Sequence, residues 1–111
     1  MTRPSSISQF DVYWVNLDPT IGREIKKTRP GIVVSPVVMN DALDTVIIVP
    51  LTSTIIDWPF RLSIKLHDKI SSAACDQLRC VSKQRLGKKI ASLNPSQKKQ
   101  LNNVLNDIFA I

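Results

Sequence analysis

The sequence has few of the residues from which cysteine frameworks and metal sites are built: its 111 residues include two cysteines and one histidine. Cys75 and Cys80 are too few for a disulfide framework, and with His67 they fall short of the roughly four ligands of a structural zinc site. No metal ion or other cofactor is therefore expected, and both cysteines read as small buried residues of a reducing compartment. Long apolar runs are also missing, since nothing approaches the ~18 consecutive apolar residues of a membrane span. The opening stretch, Met1 to Phe10, holds no apolar core of a secretory leader, which predicts a cytoplasmic protein. Repeats, low-complexity tracts and linkers are absent too, so one domain over residues 1–111 is expected.

Acidic side chains are scarce beside basic ones, nine against fifteen, for a net charge of +6. The imbalance is local. Residues 1–55 carry five basic and five acidic side chains, whereas residues 56–111 carry ten and four. Arg79, Lys83, Arg85, Lys88 and Lys89 hold much of the excess. Such a stretch suits a polyanion, either nucleic acid or an acidic protein segment; charge alone does not separate this from a solvated basic face.

Seven prolines and several short apolar runs predict β-structure broken by turns. Phe10 to Leu17 is rich in β-branched and aromatic residues and reads as a strand. Asp18 to Lys27 is polar, contains Pro19 and Gly22, and reads as a long loop. Ile32 to Ser35 and Thr45 to Leu51 are apolar enough for buried strands. From Phe60 to Leu66 the chain alternates, with Phe60, Leu62, Ile64 and Leu66 on one face and Arg61, Ser63 and Lys65 on the other. Ser72 to Val81 and Lys88 to Leu93 are weaker strand candidates. Near the C-terminus, Asn94 suits an N-cap, Pro95 the first helical position and Gln97 the reciprocal place in a capping box. Leu101, Val104, Leu105, Ile108 and Phe109 follow at helical spacing and form one apolar stripe. The fold class is α+β, mainly β: a small, curled antiparallel barrel with a C-terminal amphipathic helix over one opening or along its side.

Several segments then resemble one family in order. Val15 to Glu24 is similar to the strand-and-loop opening of MazF/PemK toxins, with Asp18-Pro19 and Gly22-Arg23-Glu24. Thr28-Arg29-Pro30, followed by Ile32 to Pro36, resembles their Arg-Pro motif entering the second strand. Val49 to Ser53 resembles the third-strand end, and Trp58-Pro59-Phe60 the hairpin lead. Cys75-Asp76-Gln77-Leu78-Arg79 with Arg85-Leu86 resembles the family's Asp-Gln strand and its sequel. The resemblance runs from about Phe10 to the C-terminus.

It implies an SH3-like barrel working as a homodimer, the toxin of a type II toxin–antitoxin pair, held in check by a cognate antitoxin with an acidic disordered tail. It also implies an endoribonuclease that cuts single-stranded RNA without a metal. The 2′-hydroxyl would attack, leaving a 2′,3′-cyclic phosphate and a 5′-hydroxyl. A CcdB-like toxin, which shares the barrel but poisons DNA gyrase without cutting RNA, is the alternative. A barrel that binds nucleic acid with neither toxicity nor chemistry is the third reading.

Three tasks follow from 2′-hydroxyl attack: taking the hydroxyl proton, offsetting charge on the phosphorane and protonating the departing oxygen. The resemblance assigns the main catalytic roles to Arg29 and Thr52. The planar fork of an arginine holds two phosphate oxygens at once, and Thr52 can donate to a non-bridging oxygen. Neither is a ready base. Asp76 is the acid–base candidate by residue type, placed in an apolar strand between Cys75 and Gln77. The rival reading makes it a loop anchor or the partner of an arginine, and both stay open. Some relatives carry an arginine where this chain has Ala74 and a histidine where it has Arg23, so proton transfer by those residues does not carry over. RNA binding falls to Arg23, Glu24, Lys26, Lys27, Thr28 and Ser53, with Gln77 and Arg79 expected on one face of the Cys75 strand. Trp58 could stack a base or form a packing corner. His67 reads as a surface residue.

Overall fold

The computed structural model describes residues 6–110; residues 1–5, half of the opening stretch from which a cytoplasmic protein is expected, and Ile111 lie outside the described residues. Among the described residues, seven antiparallel strands and two α-helices follow one another: β1 (Asp11–Asn16), β2 (Thr28–Val33), α1 (Val37–Ala42), β3 (Thr45–Thr52), β4 (Arg61–Leu66), β5 (Lys69–Ala74), β6 (Arg79–Ser82), β7 (Leu86–Ser92) and α2 (Pro95–Phe109). The strands lie in the order β4-β5-β3-β2-β1-β7, with β6 also paired to β3. The sheet curls into a half-barrel whose outer strands are β4 and β7. Two side chains bridge towards that seam: His67 Nε2 meets the Ile90 carbonyl at 3.1 Å, and Gln97 donates to the Lys65 carbonyl at 2.9 Å.

β3 explains the architecture. Val46 and Ile48 pack into one apolar cluster with Val15, Leu17, Val33 and Val81, whereas Val49 and Leu51 pack into another with Val12, Ile32, Ile64 and Leu101. Both faces of this strand are covered, so it reads as a continuous apolar run rather than an alternation. β2 begins earlier than its apolar run, at Thr28, because Arg29 and Pro30 already pair with Val15 and Trp14 of β1. Pro30 lies outside the β2–β3 ladder, which starts at Gly31 opposite Pro50; a residue without an N–H is tolerated there. At Gly31 a Cβ would come within 2.9 Å of Val15 Cγ2, so this close approach of β1 and β2 requires glycine.

The segment Ser72 to Val81 is not one strand. Leu51 faces Ala73, yet Ile48, three residues back on β3, faces Arg79, six residues further on. The three extra residues, Cys75–Gln77, form a 3₁₀ turn between β5 and β6. β7 starts at Leu86, two residues ahead of its expected start. α1 spans Val37–Ala42, where the sequence pattern specifies no element. Its buried Asn40 donates to the Ile7 and Ser35 carbonyls and accepts from the Ser35 hydroxyl, which leaves that side chain without an unmet polar atom.

α2 follows its sequence closely. Asn94 accepts from Gln97 N–H, and the Gln97 side chain accepts from Asn94 N–H, a complete capping box with Pro95 behind it. Leu101 is fully buried and Val104 and Leu105 pack beside it. Ile108 and Phe109 continue the stripe but stay exposed, Phe109 at 59%. Among the described residues no helix is long and apolar enough to cross a membrane.

The cysteines divide. Cys75 is buried, whereas Cys80 is exposed, contrary to the reading of both as buried. Burial, with Asp76 adding to it, pushes the Cys75 thiol up to about 11, so almost none of it is the reactive thiolate at neutral pH. A thiol reagent is therefore expected to label one cysteine per folded chain, Cys80, and both after denaturation. Rapid labelling of both in the folded protein, counted by mass, would contradict this placement.

Candidate active site

The β2–β3 register, carried two residues beyond Gly31 and Pro50, sets Arg29 level with Thr52. Around this point lies a cavity of about 400 Å³ lined by Thr28, Arg29, Pro30 and Ser53, with Trp14 from β1 and His67 and Lys69 from the β4–β5 hairpin. Arg29 is half-buried. Its Nε donates to the Lys26 carbonyl at 3.2 Å, and its terminal amino groups have no partner among the described residues. One end of the guanidinium is thus aimed by the loop while the other can take a phosphate oxygen. Thr52 is 8% exposed, and its hydroxyl oxygen accepts from Thr54 N–H at 3.2 Å. The hydroxyl hydrogen can still be donated.

Arg23, Glu24, Asp76, Gln77 and Arg79 line a second cavity, of about 460 Å³, whereas Lys26, Lys27 and Thr52 line neither. The end of β3 lies between the two: Pro50 lines this cavity, Leu51 and Ser53 the first. Gln77 and Arg79 do share a surface, but from the 3₁₀ turn and from β6 rather than from one strand.

Much of the basic stretch has internal partners. Gln77 accepts from Ile25 N–H at 2.6 Å, Arg79 donates to the Leu17 carbonyl at 3.2 Å, and Arg85 donates to the Asn16 and Asp18 carbonyls. Lys27 adopts a positive φ of 71°, its N–H donating to the Asp18 carboxylate at 3.1 Å. The loop between β1 and β2 is thereby fixed along the site with Arg23, Glu24 and Lys26 exposed on it. Lys89 pairs with Asp11 at 3.2 Å. The local charge excess thus serves partly as a scaffold for backbone carbonyls, in addition to facing outward.

Asp76 is not buried in a strand. It sits in the 3₁₀ turn, and both its oxygens are engaged by Arg61, from Nε at 2.6 Å and Nη2 at 3.0 Å. Arg61, expected on the exposed face of β4, has a side chain only 7% exposed, against 31% for Asp76. Its guanidinium lies 5.1 Å from the Trp58 ring centre, and Trp58 in turn stacks 5.3 Å from Phe60. Trp58 thus packs on Arg61 and Phe60 while staying 45% exposed, outside both cavities. The exposed aromatic in the Arg29 cavity is Trp14, at 43%, which lines it together with Leu51, Leu66 and Ile90; on β1 it alternates with Tyr13 and Val15, which belong to the other cluster. In a strand rich in aromatics, nothing local distinguishes it from a core residue. Among the described residues, no three of His, Cys, Asp or Glu are grouped so as to hold a metal ion.

Residues 8–109 match the family model described as the PemK-like, MazF-like toxin of type II toxin–antitoxin systems. The chain is 31% identical over 72 residues to the endoribonuclease toxin MazF of Escherichia coli, a match spanning 65% of each protein. It is 28% identical over 102 residues to endoribonuclease MazF of Staphylococcus saprophyticus, covering 86% of this chain and 85% of that one. The crystal structure of MazF from Deinococcus radiodurans superposes with a TM-score of 0.86 at 20% identity, over 97% of this chain and all of that one. An endoribonuclease in complex with its cognate antitoxin, from a mycobacterial species, superposes at 0.81 and 20% identity, over 96% and 97%. At these identities the structural likeness establishes the mainly β half-barrel with one C-terminal helix.

Proposed function

Because this chain belongs to the PemK-like, MazF-like toxin family, we propose that it is the toxin of a type II toxin–antitoxin pair and an endoribonuclease acting on single-stranded RNA. The observation that carries this reading is the register that sets Arg29 level with Thr52 beside an open cavity. The scissile phosphate lies on the terminal amino groups of Arg29, whose fixed charge offsets the extra negative charge of the phosphorane. Thr52 donates its hydroxyl hydrogen to a non-bridging oxygen. A base next to the phosphate stacks on Trp14, since an aromatic face accepts any base. Selectivity then rests on Arg23, Glu24, Lys26, Lys27 and Thr28 of the tethered loop, with Gln77 and Arg79 beyond the end of β3. The 2′-hydroxyl attacks, and the products are a 2′,3′-cyclic phosphate and a 5′-hydroxyl.

The exposed Ile108 and Phe109 at the end of α2 are apolar surface that a second copy can cover, which supports a homodimer. The net charge of +6 suits an antitoxin with an acidic, disordered tail that folds onto the RNA path. The protein would work in the cytoplasm, where messenger RNA is accessible.

A defined single-stranded RNA incubated with purified protein in excess EDTA tests the reading. Cleavage is expected, with a cyclic phosphate on the upstream fragment. The same sequence in a duplex should survive, because base reading requires unstacked bases. Cleavage that requires Mg²⁺, or none at all, would overturn it.

A further inference from the structure

The proposed reaction requires a group to take the 2′-hydroxyl proton, and the residues placed so far do not supply one. A guanidinium holds its protons too tightly. The oxygen of Thr52 already accepts a hydrogen bond. Asp76 has both oxygens on Arg61 and lines the other cavity.

His67, the single histidine of the chain, lines the Arg29 cavity. It opens the two-residue turn between β4 and β5, where His67 and Asp68 have φ of 48° and 64°. A left-handed pair of this kind gives a tight turn that follows the twist of its strands. The turn carries the hairpin tip to β7, where His67 Nε2 lies 3.1 Å from the Ile90 carbonyl oxygen. A carbonyl oxygen can only accept, so Nε2 carries the hydrogen of this contact. In the neutral ring Nδ1 is then unprotonated, and it has no partner among the described residues. The backbone of β7 thus selects the tautomer and holds the ring, as an orienting partner does for a catalytic imidazole.

We propose that His67 is the general base for this chain, a reading that rests on the endoribonuclease function above. With the phosphate on Arg29, Nδ1 takes the 2′-hydroxyl proton. The 2′ oxygen forms its bond to phosphorus, and the bond from phosphorus to the 5′ oxygen breaks. The departing oxygen takes a proton from water, and the imidazolium returns its own to the hydroxide so formed. The charged groups around the ring are Arg29 from β2, Lys69 from β5 and Asp68 in the turn itself, with Lys89 beside Ile90 on β7 already paired to Asp11. At about 400 Å³ the cavity is within the ~300–1,000 Å³ range of small-molecule sites, room enough for a nucleotide between Arg29 and His67.

Two variants test the proposal under single-turnover conditions. His67→Gly suits the left-handed backbone and leaves space for free imidazole. His67→Asn also tolerates that backbone, but it has no base. Both are expected to cut about 100-fold more slowly, on the scale of general base catalysis, while an uncleavable RNA still binds. Added imidazole should restore part of the His67→Gly rate. A variant that retains the parental rate would overturn the role of His67. So would a loss of rate that imidazole does not relieve and that is matched by lost RNA binding. If the unsubstituted protein cut no RNA, the endoribonuclease reading itself would fall, and that result is distinct from either.

Discussion

Arg29→Ala should slow RNA cleavage by about 100-fold or more, the loss seen when one transition-state donor is removed, with little change in thermal stability. Stability should hold because Arg29 is half-buried and its one internal bond is to the Lys26 carbonyl at 3.2 Å, in a loop also held by Gln77, Arg79 and Arg85. The rate should fall because the terminal amino groups are the unpartnered part of the guanidinium, directed at the space a phosphate would fill. Arg29→Lys separates charge from geometry. A lysine restores the positive charge but lacks the two-pronged donor, so its rate should lie nearer that of Arg29→Ala than that of the parent. Binding of an uncleavable RNA should weaken less than cleavage, since the fork matters most when charge develops on the phosphorane. Cleavage by Arg29→Ala at the parental rate would remove Arg29 from the chemistry. A large fall in thermal stability would mean that the residue holds the loop instead.

What local sequence exposes and what folding assembles differ here for definable reasons. α2 is legible because its signals lie within one turn of each other: Asn94, Pro95 and Gln97 satisfy the first backbone donors, and the apolar spacing follows at once. β4 is legible through alternation, except at Arg61. Alternation records which way a side chain departs from the strand, not what waits there. The partner of Arg61 is fifteen residues away in a turn. That turn is itself invisible locally, because β5 and β6 run along the same edge of β3 and their sequences blend into one run. Only the change in register against β3 shows that three residues have been looped out. The placing of Arg29 level with Thr52 is accessible through resemblance, since the two are distant in sequence and come together just beyond the end of a ladder. His67 had no local signal at all. Its place in the cavity depends on a hairpin reaching β7, a contact 23 residues away in sequence.

The two open readings of Asp76 make opposite predictions, and the geometry favours the anchor. Arg61 is covered by Trp58 on one side and bound by both carboxylate oxygens on the other. Removing the carboxylate in Asp76→Ala leaves a guanidinium that is 7% exposed without its counter-charge. Breaking a fully buried pair costs about 3–5 kcal/mol. Because Asp76 itself is 31% exposed, water can partly take its place, and about 2–3 kcal/mol is the appropriate expectation. For a domain of this size that loss corresponds to a fall of roughly 10 °C in Tm. Asp76→Asn keeps an acceptor but not the charge, and it should lose less. Arg61→Met in the Asp76→Ala background should recover part of the loss, because the stranded charge is then gone and an apolar chain packs on Trp58. Below the transition, each of these variants should cleave RNA at close to the parental rate per folded molecule. A catalytic Asp76 requires the reverse, with Asp76→Asn about 100-fold slower and as stable as the parent. Denaturant titration beside single-turnover cleavage separates the two: an unstable but active Asp76→Asn identifies the anchor, and a stable but inactive one would return Asp76 to the chemistry and displace His67 as the base.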